Sequence, residues 1–76
     1  MKIHPIYIRI GQKISELRGQ RGMNQAELAS LAKIGRTYLG EIEHGKKRVS
    51  LEKLTKIATA LQVHMFELFL PPFNGE

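Results

Sequence analysis

Arg36, Thr37 and Glu41 stand in one six-residue window, and Lys46, Lys47 and Arg48 follow directly behind them. An arginine fork matches the O6 and N7 of guanine, a threonine can bond a base or touch a thymine methyl, and a carboxylate can accept from a cytosine amino group. That set suits reading base edges better than making or breaking bonds. The rest of the sequence agrees: it holds no nucleophile with an adjacent base, no carboxylate pair and no phosphate loop, so no enzyme is expected. His4, His44 and His64 are too far apart for a local metal motif, and no Asp or Cys joins them. Neither a metal nor a cofactor is expected, and no small-molecule substrate is evident.

Such side chains act together only if one element presents them on one side. With Arg36 at 0° on a helical wheel, Tyr38, Leu39 and Ile42 fall between roughly 200° and 300°, while Arg36, Thr37, Gly40, Glu41 and His44 spread from 0° to roughly 140°. The apolar side can dock on a neighbouring helix. The other side is polar and short-chained, and Gly40 leaves it bare. Glycine there costs about 1 kcal/mol of helix stability relative to alanine, and its expected use is close approach to the major groove, which admits one α-helix. The run Lys46-Lys47-Arg48 would by itself be an ordinary basic loop. Its place after the reading helix makes it a candidate phosphate contact.

The neighbouring elements are legible from spacing. Ile6, Ile10, Ile14 and Leu17 lie within roughly 80° of one another and predict a first helix ending before Gly22. Pro5 suits its first turn, which favours a helix over a strand for "IYIRI", and residues 1–4 are expected as a flexible arm. In "NQAELASLA", Asn24 with Glu27 has the spacing of a capping box, so a second helix should start at Gln25 and bury Leu28, Ala29, Leu31 and Ala32. The turn "KIG" leads to the third helix near Arg36. Ser50 caps a fourth, "LEKLTKIATAL", whose Leu51, Leu54, Ile57, Ala58 and Leu61 share a face, with Glu52 in its positive first turn. A fifth short helix is expected from about His64 to Phe69, stopping at Pro71-Pro72, with 70–76 as a short tail. The expected fold is all-α, a compact five-helix arrangement forming one domain over 1–76.

Composition sets the partner class. Twelve Lys and Arg against seven acids give a net charge of +5, which favours a polyanion, nucleic acid before membrane. All seven acids are Glu, a good helix former. No apolar run approaches the roughly 18 residues of a membrane span, and "MKIHPIYIRIG" is interrupted by His4, Pro5 and Arg9, unlike a signal peptide. A cytoplasmic protein with no membrane partner is expected. At 76 residues, with no Cys for disulfides or thiolate-bound metal, the chain is near the lower limit for a self-sufficient core. Self-association would supply the remainder. The aromatic end "MFELFLPPF" offers more apolar surface than one short helix needs, so Met65, Phe66, Phe69, Leu70 and Phe73 are the candidate contact of a two-fold homodimer.

The segments "IGQKISELRGQRGMNQAELASLA" and "RTYLGEIEHGKKRVSLEKLTKIATAL" together resemble the helix-turn-helix domain of the lambda-repressor and Cro family over residues 10–69. Within it, "RTYLGEIEHGKKRVSLEKL" is most similar to the controller proteins of restriction–modification systems. The resemblance implies a helix-turn-helix at helices 2–3 and double-stranded DNA as partner. It places Gln25 at the DNA backbone, Arg36, Thr37 and Glu41 on the recognition helix, and Lys46 and Arg48 in the phosphate-clamping exit loop. It also pairs Arg18 with Glu43, which the wheel sets beside Leu39 and so inside the core rather than on the DNA face. Tyr38 divides between a packed ring and a hydroxyl near a phosphate. Lys53 and Lys56 are read as solvated surface. Two positions depart from the family pattern: Lys33 stands where the turn usually has Gly, and Gly35 where Ser or Thr commonly caps the helix.

The function expected is a dimeric, sequence-specific transcriptional regulator of palindromic operators, controlling its own operon. A phage or prophage-type repressor and an antitoxin-like interaction module are the alternatives. The stretch 70–76 is short for a partner-binding segment, which disfavours the latter.

Overall fold

The structure, a computed structural model, describes residues 3–71. Four α-helices follow in order: α1 Pro5–Gln20, α2 Gln25–Ala32, α3 Arg36–Glu43 and α4 Leu51–Leu61, then a 3₁₀ segment Met65–Phe69. No strand occurs among the described residues. Helices α1, α2 and α4 start where a side chain can satisfy orphan N–H groups. His4 accepts from the Ile6 N–H at 3.0 Å with Pro5 beginning α1, Asn24 and Glu27 form the reciprocal capping box of α2 at 2.8 Å each way, and Ser50 Oγ accepts from the Lys53 N–H at 3.1 Å. His4 therefore belongs to the helix start and not to an arm.

The core gathers Ile14, Leu28, Leu39, Ile42, Leu54, Ile57, Leu61 and Leu68, all fully buried and drawn from every element. α1 packs on α3 and on the 3₁₀ segment, and α2 packs on both α4 and α3. Three expected core residues are outside it. Ile6 is 41% exposed because the first turn of α1 extends past the cluster, whose first member on that helix is Ile10. Leu31 is 59% exposed because the buried arc of α2 runs through Leu28, Ala32 and Ala29, and Leu31 lies roughly 60° outside it. Leu51 shares the apolar face of α4 but sits a turn ahead of Leu54, and Val49 from the preceding loop joins the core in its stead.

The fifth helix is corrected as well: there are four α-helices, and Met65–Phe69 is a 3₁₀ segment. Gln62 ends α4 in the left-handed conformation, and Leu70 before Pro71 is extended at φ −76°, ψ 149°. Between these two non-helical ends the five residues Met65–Phe69 bond in the tighter 3₁₀ pattern, with the Glu67 N–H reaching the His64 carbonyl and the Leu70 N–H the Glu67 carbonyl, and Leu68 anchors the segment in the core.

Candidate nucleic-acid interface

α2 and α3 meet at a turn whose left-handed residue is Lys33, at φ 59° and ψ 45°. Its N–H bonds the Ser30 carbonyl, and the next N–H, of Ile34, reaches back to Ala29 at 3.0 Å, closing α2. The turn thus keeps the shape a glycine would favour while using lysine. Gly35 adopts φ −68° and ψ 143°, open to any residue, and gives α3 no side-chain cap.

α3 shows the two sides its wheel implies. Leu39 and Ile42 are buried and Tyr38 is half-buried with its ring against the core. On the opposite side Arg36, Thr37 and His44 are exposed, and Gly40 and Glu41 are half-buried. Lys46 and Lys47 are exposed in the exit loop beside Arg48, and the Lys46 N–H bonds the Glu41 carbonyl at 2.9 Å. His44 caps the helix exit, its Nδ1 2.7 Å from the Gly40 carbonyl. Among the described residues no group of His, Cys, Asp or Glu could hold a metal.

Beneath this face lies one carboxylate. Arg18 Nε donates to Glu43 Oε2 at 2.8 Å and Nη2 to Oε1 at 3.0 Å, with the Glu43 side chain only 3% exposed. The third branch, Nη1, donates to the Met23 carbonyl at 2.9 Å, fixing the loop that enters α2. Hydrogen bonding to Glu43 raises the Arg18 pKa above its ordinary value, burial works against this, and the attraction of the charges adds to it. Gln25 Nε2 also donates to Glu43 Oε1, at 3.0 Å. With Glu43 so occupied, Glu41 is the remaining acid of the 33–48 stretch near a surface carrying Arg36, Lys46, Lys47 and Arg48.

Two glycines passed over in the sequence reading hold α3 in place. A Cβ on Gly11 would meet the Ile42 carbonyl and lie 2.8 Å from the Glu43 carbonyl, so α1 and the end of α3 touch backbone to backbone. Gly45, at φ +71°, turns the chain beneath Ile8, whose Cα would be 2.9 Å from a Cβ there. The available signal was a glycine in the middle of the first helix, a costly choice that usually has a packing reason. Gly40 is less bare than expected: the Gln25 amide lies beside it, with Oε1 3.6 Å and Nε2 3.9 Å from where a Cβ would be.

Of the candidate dimer residues, Phe66, Phe69 and Leu70 are 63%, 43% and 46% exposed, Met65 is half-buried against the core, and Phe73 lies outside the described residues. His64 stacks on Phe66 with ring centres 5.7 Å apart. No helix among the described residues is long and apolar enough to cross a membrane.

Residues 14–68 match the helix-turn-helix family. Control protein C.MunI of a Mycoplasma species is 38% identical over 68 residues, spanning 88% of this chain and 92% of that protein. The crystal structure of the restriction–modification controller protein C.AhdI from Aeromonas hydrophila superposes with a TM-score of 0.82 at 41% identity, covering 83% of this chain and 96% of that one. The immunity repressor of Bacillus phage phi105 is 36% identical over 56 residues, which are 74% of this chain but 39% of the repressor. These relatives are regulators, not enzymes. Four helices around one core, an exposed polar face on the second helix of the α2–turn–α3 pair and this similarity along the chain lead to one conclusion: the protein belongs to the helix-turn-helix family and is a DNA-binding transcriptional regulator of the controller-protein type.

Proposed function

We propose that two copies of this chain bind one palindromic operator and control their own operon, in the manner of a restriction–modification controller protein. The observation that carries this reading is the outer side of α3, where exposed Arg36 and Thr37 stand ahead of Gly40 and Glu41 and lead into the basic exit loop. Residues 1–76 then act as one DNA-binding domain. Arg36, Thr37 and Glu41 read base edges and Gly40 permits close approach. Gln25, Tyr38, Lys46, Lys47 and Arg48 hold phosphates, which position the protein without reading sequence.

The dimer contact is assigned to Met65, Phe66, Phe69, Leu70 and Phe73. Exposed apolar side chains clustered in sequence at Phe66, Phe69 and Leu70 favour burial against a second copy, and a two-fold contact matches a palindrome. Half-site centres should then lie about one helical turn, roughly 34 Å, or a multiple of it apart. Selecting duplexes from a randomised pool with the wild-type protein should return an inverted repeat with that spacing, and sedimentation should show a dimer that Phe69→Asp disrupts. A monomeric wild type that binds a single asymmetric site would overturn the reading.

The phi105 immunity repressor supports a second reading, a prophage-type repressor. The genes beside this one decide between them: a methyltransferase and an endonuclease fit the first, phage genes the second.

A further inference from the structure

A neutral glutamine meets a phosphate productively only if its amide presents N–H and not C=O, and a freely turning amide presents either. In this protein the choice is made before DNA arrives. Glu43 Oε1 accepts from Gln25 Nε2 and from Arg18 Nη2, each at 3.0 Å, and a carboxylate can only accept. Its buried position beside Arg18 therefore forces the nitrogen of the Gln25 amide to face it and turns Oε1 along α3 beside Gly40. Nitrogen carries a second hydrogen, and that hydrogen remains to donate outward. The missing side chain at Gly40 leaves the amide room to lie there: a Cβ would be in ordinary contact at 3.6 Å, but a longer chain would need the amide's place.

We infer that Glu43, beyond its part in the fold, is a positioning residue for DNA binding: it holds the Gln25 amide so that an N–H of the first residue of α2 faces the DNA backbone. Arg18 is the second member of the device, since it fixes the carboxylate through Nε and Nη2 while Nη1 ties down Met23 just ahead of α2. One carboxylate thereby joins α1, the entry to α2 and the end of α3. Fixing the amide in advance removes part of the ordering cost of the complex. The inference rests on the reading of Gln25 as a backbone contact given above.

A double-mutant cycle in DNA binding tests it. The probes are the duplex selected by the wild-type protein and a scrambled duplex, titrated at several salt concentrations. Gln25→Ala should weaken both by about tenfold, the scale of a hydrogen bond to a charged group, and should leave the salt slope unchanged because glutamine carries no charge. The second background is Arg18→Met/Glu43→Met, which replaces the buried pair with apolar chains of similar volume, a change that proteins can tolerate without loss of folding. There Gln25→Ala should have an effect of less than about twofold, since the amide is no longer held. An equal loss in both backgrounds overturns the positioning role while leaving Gln25 as a contact. No loss in the wild-type background overturns the contact itself, and the inference with it. Side-chain amide NMR of the free wild-type protein gives a test that needs no variant: one Gln25 Hε2 should be displaced and protected from exchange, and the other should move on adding DNA. Two Hε2 resonances at free-amide positions with ordinary exchange would overturn the proposal.

Discussion

The two ends of α3 are held in opposite ways. At the exit Glu43 is buried under a two-point bond from Arg18, α1 presses its Gly11 backbone onto Ile42 and Glu43, and His44 and Gly45 close the helix against neighbouring groups. At the entrance Gly35 supplies no side-chain cap, Lys33 occupies a left-handed conformation, and Arg36 and Thr37 are exposed. The helix is aimed from its exit end, where Glu43, Gly11 and Gly45 are buried. Its exposed end has few packing duties, so side chains there can be exchanged without altering how the helix is aimed.

The comparison is broken most severely at the exit. Arg18→Met alone should destabilise the protein by about 3–5 kcal/mol in urea unfolding, because it strands a buried charge. Glu41→Gln, two residues from Glu43 but on the other side of α3, should stay within about 0.5 kcal/mol. If Glu41→Gln proved as costly as Arg18→Met, the assignment of inside and outside on α3 would be wrong. Gly11→Ala comes next, with a loss of about 1–3 kcal/mol in the same experiment, since its methyl meets backbone carbonyls that cannot rotate away as a side chain could.

At the entrance the effects should move from folding to binding. Arg36→Ala should melt like the wild type but lose about 1–3 kcal/mol on the selected duplex and relax preference at one base position. Lys46→Ala should weaken selected and scrambled duplexes alike and reduce the slope of log affinity against log salt by about one. Unchanged base preference in Arg36→Ala would mean that this end does not read sequence. The smallest changes sharpen the contrast. Lys33→Gly should stabilise by somewhat less than about 1 kcal/mol, relief of the left-handed backbone offset by glycine's freedom in the unfolded chain. Gly35→Ser should add only a few tenths of a kcal/mol by supplying the absent cap.

These positions also show how far the sequence could be read. The starts of α2 and α4 were legible from their caps, Asn24 with Glu27 and Ser50, and both bond as expected, Ser50 to the Lys53 N–H. The two sides of α3 followed from its own 3.6-residue period. The same period placed Leu31 and Leu51 inside, because a wheel gives an angle but neither the width of the buried arc nor the point along the helix where the core ends. A fifth helix was expected over this stretch because apolar spacing alone does not tell one turn of 3₁₀ bonding from an α-helix.

What the sequence by itself determined is therefore local: where helices begin, which side of α3 is polar, and that Arg36, Thr37 and Glu41 occupy that side. Tertiary structure decided what those residues stand on. The resemblance paired Glu43 with Arg18 across 25 positions and the structure has that pair, but the same carboxylate meets Gln25 across 18, and Gly11 meets Ile42, only because of how the helices cross. Helical periodicity carries information over a few turns of one helix, whereas these contacts depend on the angle and depth at which separate helices pack. That packing is set by the whole core at once, and so Gly40, bare on the wheel, is in the folded chain partly covered by the Gln25 amide.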